Sequence, residues 1–277
     1  MRVDLHMHST ASDGVYNPAE VVDIAVTHQM DVIALTDHDT IQGIPSALDA
    51  ANQTQLQVIA GVELSSQDET VDRHLLGYLL NITYAPLLDR LDVLRNGRVY
   101  RIQEMVQKLI AVGLPIEVER VLALAGTGSV GRPHLARAML EKGYVSSIQD
   151  AFDRYIGDEG VAYVPHSQFA PTEAIRLIHE AGGVAVLAHP GHYAQHAQII
   201  EALVADGLDG IEVYYYDHSP KLISELYWLA KHHDLVMTVG SDFHRREADG
   251  SARIGSVRFP PELDIVDSLR QRAERYR

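Results

Sequence analysis

Residues 31–39 read Asp-Val-Ile-Ala-Leu-Thr-Asp-His-Asp and contain a pattern from which the fold class can be predicted. Four apolar residues in a row are typical of a short strand buried on both faces, and the polar residues begin where that strand ends. The same pattern recurs along the chain. The predicted strands are Arg2–Leu5, Asp31–Thr36, Gln57–Leu64, Arg73–Leu80, Gly183–Ala188, Asp209–Tyr215 and Leu235–Gly240.

Amphipathic stretches with recognisable helix ends lie between several of these strands. Asn17-Pro18-Ala19-Glu20 combines an N-cap residue, a proline at the first helical position and a capping-box glutamate. Pro171 begins another helix that ends near Gly182, and Ser219-Pro220 begins a third that reaches about His233. Alternating strands and helices predict a parallel α/β architecture, and about seven strands predict a closed or nearly closed barrel.

The region 98–165 interrupts this alternation. An amphipathic helix begins near Arg98 and ends at Gly113, and further helical patterns cover 118–125, 133–142 and 148–156. We expect a helical insertion over 98–165 that covers the mouth of a barrel formed by 1–97 and 166–277. A simple packing appendage is the alternative.

Length and composition limit the classes of protein to consider. The chain has 277 residues, of which 46% are hydrophobic and 22% charged, as in a folded domain with a modest insertion. Its apolar runs are far shorter than the roughly 18 residues of a membrane span, and its first residues lack an apolar signal core. We therefore expect a cytoplasmic protein with no membrane association, and nothing indicates an obligate protein partner.

The charge balance and the residue counts narrow the chemistry. A net charge of −15 disfavours duplex DNA as a partner, because such binding depends on basic side chains that neutralise phosphates. A small phosphorylated ligand remains compatible if bound cations reverse the field locally. The chain has no cysteine and 15 histidines, so any metal site is built from nitrogen and oxygen donors.

Candidate metal ligands follow the ends of the predicted strands. In an extended chain His6 and His8 point the same way, and Asp242 and His244 repeat that spacing. Each pair alone is equally well explained by hydrogen-bonded loop groups, and a lone His74 by a satisfied core residue. Strand ends of a β/α barrel converge on one face, where a multinuclear metal centre would offset the cost of burying so many carboxylates and imidazoles. The candidates are His6, His8, Asp13, His38, Glu63, His74, His189, Asp242 and His244.

A loop within the insertion is the candidate phosphate clamp. Residues 127–134, Thr-Gly-Ser-Val-Gly-Arg-Pro-His, form a Gly/Ser loop that enters a helix with Pro133 near its first position. Free amides and the dipole at a helix N-terminus attract anions, and Arg132 adds a bidentate group. Ser129 and His134 complete the candidate clamp. A plain helix cap is the alternative.

Three further residues are weaker substrate candidates. Arg98 and Arg101 lie opposite the apolar stripe of their helix and are either phosphate contacts or solvated side chains. His192 follows the candidate ligand His189 and is either a phosphate contact or a loop histidine.

The chain resembles the polymerase and histidinol phosphatase (PHP) family of metal-dependent phosphoesterases in motifs spread along its length. They are His6-x-His8, Asp13, Thr36-Asp37-His38-Asp39, Gly61-x-Glu63, His74, Ala188-His189-Pro190 and Ser241-Asp242-x-His244. Among family members it is most similar to a stand-alone bacterial subgroup with a helical insertion. Those proteins act on nucleoside 3′,5′-bisphosphates and, in some cases, as 5′ to 3′ exonucleases on short RNA or DNA. The resemblance implies a distorted seven-stranded, TIM-like barrel.

The resemblance also implies two or three divalent metal ions. It assigns a first position to His6, His8, Glu63 and Asp242, a second to Glu63, His74 and His189, and a third to Asp13, His38 and His244. Many members have histidine where this chain has Asp13, which leaves the third ion open. These donors suit Mn²⁺, the leading expectation, as well as Mg²⁺, Fe²⁺ or Zn²⁺. Asp37 and Asp39 are expected to orient ligand imidazoles.

These features lead to a hypothesis of phosphate monoester hydrolysis by a metal-bridging hydroxide. The expected substrate is a small phosphorylated nucleotide, a nucleoside 3′,5′-bisphosphate that yields a 5′-monophosphate, or a short oligonucleotide. Arg132 and His134 would hold the substrate, and His134 or a metal-bound water would protonate the leaving oxygen.

Other functions compete with this one. A phosphatase of a small alcohol phosphate such as histidinol phosphate is the first alternative, and a catalytically silent metal-binding domain is the second. A polymerase-associated exonuclease module and an amidohydrolase fit less well, because the chain has neither a basic groove nor a lysine at a predicted strand end.

Overall fold

The structure, a computed structural model, describes residues 1–68, 71–165, 169–247 and 249–277. Its seven strands form one sheet in chain order, β1 to β7. They are β1 (Val3–Asp4), β2 (Val32–Leu35), β3 (Gln57–Asp68), β4 (Val71–Tyr78), β5 (Val184–Leu187), β6 (Gly210–Tyr215) and β7 (Val236–Gly240).

The sheet curves into a nearly closed barrel. The amide of Leu5 donates to the carbonyl of Val239 over 2.9 Å, and Met7 pairs with Phe243, so the first strand segment meets the last. The nearly closed seven-stranded barrel predicted from the sequence is therefore confirmed.

Strand β4 differs from the prediction of a parallel sheet. It runs antiparallel to both β3 and β5, whereas the other neighbouring strands are parallel. The register pairs Asp68 with Val71, so β3 and β4 form a hairpin. A connection this short joins only antiparallel strands. The expectation of uniformly parallel strands is wrong here. His74 lies within β4, as in the predicted strand Arg73–Leu80.

Ten α-helices accompany the strands in the described residues. They are α1 (Pro18–Thr27), α2 (Ile44–Ala51), α3 (Ala85–Ala111), α4 (Val118–Ala125), α5 (Arg132–Glu141), α6 (Ile148–Ala151), α7 (Pro171–Glu180), α8 (His196–Ala205), α9 (Pro220–His232) and α10 (Ile265–Ala273). A π-helical segment, Phe152–Ile156, extends α6. None of the described helices is long and apolar enough to cross a membrane.

Some helix ends follow from local sequence and others do not. The Asn17 side chain caps α1 and Glu20 completes the capping box, as predicted. Helices α2 and α8 are absent from the prediction, and α3 begins at Ala85 instead of near Arg98. Its early turns lie against the barrel and its later turns against other helices, so no single apolar stripe marks the whole helix.

The buried apolar residues form two clusters. One fills the barrel and includes Leu87 and Leu94 from the first half of α3. The other lies among α3 to α6 and includes Ile102 and Leu109 from its second half. Helix α3 thus connects both clusters without a break, and the predicted domain boundaries at 97/98 and 165/166 stay a prediction.

Candidate metal centre

Glu63 lies at the centre of the strand-end residues singled out in the sequence. Its side chain is 1% exposed, and both carboxylate oxygens are surrounded by imidazoles. Oε2 lies 3.2 Å from His6 Nε2, 3.2 Å from His8 Nε2 and 3.1 Å from His38 Nδ1, and Oε1 lies 2.8 Å from His74 Nδ1 and 3.2 Å from His189 Nε2.

Two aspartates, one near each end of the chain, extend this cluster. Asp13 Oδ1 lies 3.2 Å from His244 Nε2, and its carboxylate is 3.8 Å from His8 and from His38. Asp242 Oδ1 lies 3.2 to 3.5 Å from His6, His8 and His244. The structure therefore brings all the predicted donors together at one end of the barrel.

The distances fit ligands that share ions. Donors about 2.0–2.2 Å from one cation lie roughly 2.9–3.5 Å from each other at angles between octahedral and tetrahedral. The ring atoms Nε2 of His8, Nδ1 of His38 and Nδ1 of His74 are buried and have no hydrogen-bond partner, although each is near a Glu63 oxygen. Buried ring nitrogens without a hydrogen-bond partner, gathered around one carboxylate, are an arrangement that a bound cation satisfies.

Three groups of donors are compact enough to hold an ion. They are His8, Asp13, His38 and His244; His6, His8 and Glu63; and His38, Glu63 and His74. His8 and His38 each belong to two groups, so the third position implied by the family resemblance is continuous with the other two.

Glu212, on β6, supports the centre from below and is absent from the sequence prediction. It is fully buried, and its Oε1 lies 3.1 Å from His6 Nδ1 while its Oε2 accepts a hydrogen bond of 2.8 Å from the His189 amide. A carboxylate on Nδ1 leaves His6 Nε2 free for a metal. An acidic residue in an otherwise apolar strand was the available signal.

The ligand His244 is oriented by the main chain. Its Nδ1 lies 2.9 Å from the carbonyl oxygen of Asp242, so Nδ1 carries the proton and Nε2 turns its lone pair towards Asp13. A backbone carbonyl therefore fixes the tautomer here, as Glu212 does for His6.

Electrostatics favour ionised carboxylates at the centre. Burial alone would raise the pKa of Glu63, but the surrounding rings of His38 and His74 bring that pKa well below its ordinary value. Burial disfavours the charged form of His6, yet its neighbouring carboxylates, Glu212 first, hold its pKa well above the ordinary value. The buried carboxylates thus carry negative charge that protonated imidazoles offset here and that a bound cation would offset in their place.

The backbone is strained at three of these positions. Asp39, His189 and Asp242 have positive φ angles of 51°, 33° and 52°, which residues with a Cβ rarely adopt. Such strain persists where surrounding contacts over-determine the conformation and is concentrated at functional sites.

The expected role of Asp37 holds only indirectly, because Ser12 Oγ, which donates to Asp37, lies 3.5 Å from His8 Nδ1. The expected role of Asp39 is wrong. Asp37 accepts hydrogen bonds from Ser9 and Ser12, and Asp39 accepts from Ser65 and Arg98. These partners are loop and strand groups and not the ligand imidazoles. The two carboxylates therefore fix the loops that carry the ligands.

Both arginines of α3 are buried and engaged. Arg98 Nε lies 2.5 Å from Asp39 Oδ2 and Nη2 lies 2.6 Å from Ser65 Oγ. Arg101 donates to the carbonyl of Val164 and lies 3.3 Å from Asp72. The alternative that they are solvated is wrong, and Arg98 joins the insertion to the barrel beside the metal centre.

The Gly/Ser loop of the insertion lies against the loop that follows β1. The Ser129 amide donates to the Ala11 carbonyl over 2.8 Å, and a side chain on Gly128 would collide with the Thr10 carbonyl. The hydroxyl of Ser129 is buried without a hydrogen-bond partner. This packing brings the loop next to Asp13.

His134 lies at the start of α5 and is 2% exposed. Its Nδ1 accepts a 3.0 Å hydrogen bond from the Gly131 amide, so the neutral ring carries its proton on Nε2. Burial lowers its pKa, an effect that Asp13 partly opposes. His134 is therefore a neutral hydrogen-bond donor at pH 7.

Arg132 is held within the insertion. Its Nη1 lies 2.6 Å from Asp158 Oδ1, and its guanidinium lies over the ring of Phe152. Its assignment to the clamp stays a prediction. His192 packs its ring on His189 with centroids 4.6 Å apart, so it adjoins the centre, and its role also stays a prediction.

A cavity of about 500 Å³ opens beside the metal centre, between the insertion and the barrel. Asp13, Asp242 and His244 form its inner wall, and Arg137 of α5 reaches it. The sequence prediction omitted Arg137, although its spacing of three residues from His134 places both on one helix face.

Comparison with known proteins identifies the family. The model of the PHP domain matches residues 4–276. The chain belongs to the PHP family. The resemblance stated from the sequence and the expectation of a metal-dependent phosphoesterase are confirmed at this level.

Two curated relatives and one solved structure cover nearly all of this PHP protein. A 5′-3′ exoribonuclease of Haemophilus influenzae is 36% identical over 97% of this chain and 96% of its own length. A 3′,5′-nucleoside bisphosphate phosphatase of Chromobacterium violaceum is 32% identical over 94% and 93%. A solved structure from Chromobacterium violaceum, described as an amidohydrolase with bound sulfate and no metal, has a TM-score of 0.89, 30% identity and coverage of 98% and 97%.

Proposed function

We propose that this protein hydrolyses the 3′-phosphoester of nucleotides that carry a 5′-phosphate. A nucleoside 3′,5′-bisphosphate would yield a nucleoside 5′-monophosphate and phosphate, and a short oligonucleotide would yield the same product from its 5′ end. The observation that carries this proposal is the convergence of five imidazoles on the buried Glu63 carboxylate, beside a cavity that arginines reach.

Two or three divalent ions, with Mn²⁺ as the leading choice, are the proposed cofactors. The donors would be divided as the family resemblance implies, with His6, His8, Glu63 and Asp242 around one ion, Glu63, His74 and His189 around a second, and Asp13, His38 and His244 around a third. The compact donor groups and their unpartnered ring nitrogens support this set. Bound divalent ions supply Lewis acidity at the phosphoryl group and lower the pKa of water.

The supporting residues have separate proposed roles. Glu212 holds His6 in the tautomer that leaves Nε2 free, and the Asp242 carbonyl does the same for His244. Arg98 neutralises Asp39 under the loop after β2, which keeps that loop against the centre. These contacts fix the ligand geometry before substrate arrives.

Substrate binding is assigned to the insertion. His134 would donate a hydrogen bond from its Nε2–H group to a phosphate oxygen, because its Nδ1 already accepts a hydrogen bond from the Gly131 amide. Ser129 lies in the same loop with a free hydroxyl and would donate to the same anion. Arg137 would bind the phosphate that does not react, since Arg132 and Arg101 are engaged by Asp158 and Asp72.

The first test is a comparison of substrates with the Mn²⁺-reconstituted protein. We expect hydrolysis of nucleoside 3′,5′-bisphosphates to give 5′-monophosphate, and release of 5′-monophosphates from a 5′-phosphorylated oligonucleotide of a few residues. Histidinol phosphate is the comparison substrate. Equal kcat/KM on histidinol phosphate would favour the small alcohol phosphate alternative, and no turnover on any of them would favour a silent metal-binding domain.

A further inference from the structure

The cavity beside the metal centre is lined by an arginine side chain that has no ion-pair partner among the described residues. Arg245, which follows the β7 strand end, lines the cavity together with Arg137 and forms no ion pair with any described residue. Arg137 is anchored by the Asp13 carbonyl, 3.2 Å from Nη2. Both arginines line the same cavity.

The carboxylates that line the same cavity do not pair with Arg245. Glu247 lies 2.6 Å from the Nε of Arg253 and is engaged there. Asp13 and Asp242 face the ligand imidazoles of the metal centre. Arg245 therefore adds to the cavity a positive charge that no described carboxylate pairs with, which favours an anionic ligand.

An aromatic wall lies beside these arginines. Tyr216 is 41% exposed and lines the cavity, with the guanidinium of Arg253 4.2 Å from the centre of its ring. Phe152 lines the opposite side, from the insertion. Exposed aromatic rings beside cations are typical of sites where bases stack and phosphates pair. A cavity of about 500 Å³ has the size of a small-ligand site.

We propose that Arg245 and Tyr216 form a nucleotide subsite that selects substrates by their second phosphate and their base. Arg245, with Arg137, binds the phosphate that does not react, and Tyr216 stacks on the base. The inference rests on the proposed function and deepens it, because it names the residues that separate a nucleoside 3′,5′-bisphosphate from a nucleoside 3′-monophosphate.

The test compares variants on these two substrates with the Mn²⁺-loaded protein. Arg245→Gln is expected to lower the ratio of kcat/KM for the bisphosphate over that for the 3′-monophosphate about ten-fold, mainly through KM, because one charge-assisted contact is lost. Arg246→Gln is the matched control, since Arg246 bonds the Gly250 carbonyl and does not line the cavity. It is expected to leave the ratio unchanged.

Tyr216 is tested by a pair of variants. Tyr216→Leu is expected to raise KM for both substrates by roughly ten-fold, and Tyr216→Phe to retain the wild-type KM, because base stacking needs the ring and not the hydroxyl. A ratio for Arg245→Gln within two-fold of the wild-type value, or equal KM values for the Leu and Phe variants, would overturn the subsite.

A binding measurement separates failure of the subsite from failure of the proposed function. Titration calorimetry with a nucleoside 5′-monophosphate does not require turnover. If the wild type hydrolyses neither substrate, the proposed function is wrong, and a roughly ten-fold weaker Kd for Arg245→Gln than for Arg246→Gln still supports the subsite. Equal Kd values for the two variants would refute it.

Discussion

The metal centre and the Gly/Ser loop of the insertion are both marked by the sequence as functional, yet the structure treats them differently. Five predicted imidazoles reach Glu63, and the other predicted donors, Asp13, Asp242 and His244, extend the same cluster. In the loop, the arginine with the strongest local signal, Arg132, is engaged by Asp158, while the unmarked Arg137 reaches the cavity. Short side chains on strand ends have directions fixed by the backbone, whereas a long side chain on a helix takes its partner from distant parts of the chain.

The largest expected effect comes from Glu63→Gln. The amide carries no charge, so the shared ligand is lost from a buried set of imidazoles. Because the ligand shared by the proposed ions is lost, we expect kcat/KM to fall about 10³-fold, which corresponds to about 4 kcal/mol of transition-state stabilisation. Metal content by mass spectrometry is expected to fall as well.

Glu201→Gln, on the exposed face of α8, is the control for Glu63→Gln. Thermal unfolding of both variants checks that they fold. A Glu63→Gln protein with full metal content and full activity would show that Glu63 is not a metal ligand needed for hydrolysis.

Glu212→Gln tests whether the support beneath the ligands matters as much as the ligands. The amide fills the same space but loses the charge next to His6 Nδ1. We expect divalent metal affinity to fall about 10- to 100-fold, the usual range for such supporting groups. Competition with a fluorescent chelator measures it, and an affinity equal to that of the wild type would show that the His6 tautomer is fixed by other contacts.

Arg132→Ala and Arg137→Ala address the other half of the comparison. Arg137→Ala is expected to raise KM for the bisphosphate about 10- to 100-fold, because a charged hydrogen bond is lost. Arg132→Ala is expected to stay within about five-fold of the wild type, since an exposed ion pair contributes only about 0–1 kcal/mol. The reverse order would return the clamp to Arg132 and require its separation from Asp158.

The sequence predicted the features that depend on neighbouring residues and missed those that depend on contacts between residues distant in the chain. Apolar runs located all the strands, and two-residue spacings located ligand pairs such as His6 with His8, because both are local properties. The antiparallel β4 depends on a hairpin, and the role of Glu212 depends on which imidazole lies above it. Both depend on tertiary contacts, which cannot be predicted from composition or residue spacing.

The smallest expected effect concerns His134. Because Gln also offers an N–H donor, we expect His134→Gln to lower kcat/KM only about two- to ten-fold, the value of a neutral hydrogen bond. Burial lowers the pKa of His134, so the folded protein binds this proton less readily than the unfolded chain. Its contribution to stability is therefore complete above about pH 6.5 and is lost as the pH falls through the lowered pKa.

The pH dependence of His134→Gln separates the loop from the metal centre. Wild type and variant share every ligand imidazole, so the difference between their denaturant unfolding curves isolates this one ring when both are measured in chelator at pH 7.5 and 5. The wild type is expected to lose more stability on acidification than the variant. Identical losses would mean that His134 is not desolvated in the folded protein. The assignment of His134 as a neutral hydrogen-bond donor at the start of α5 would then be wrong.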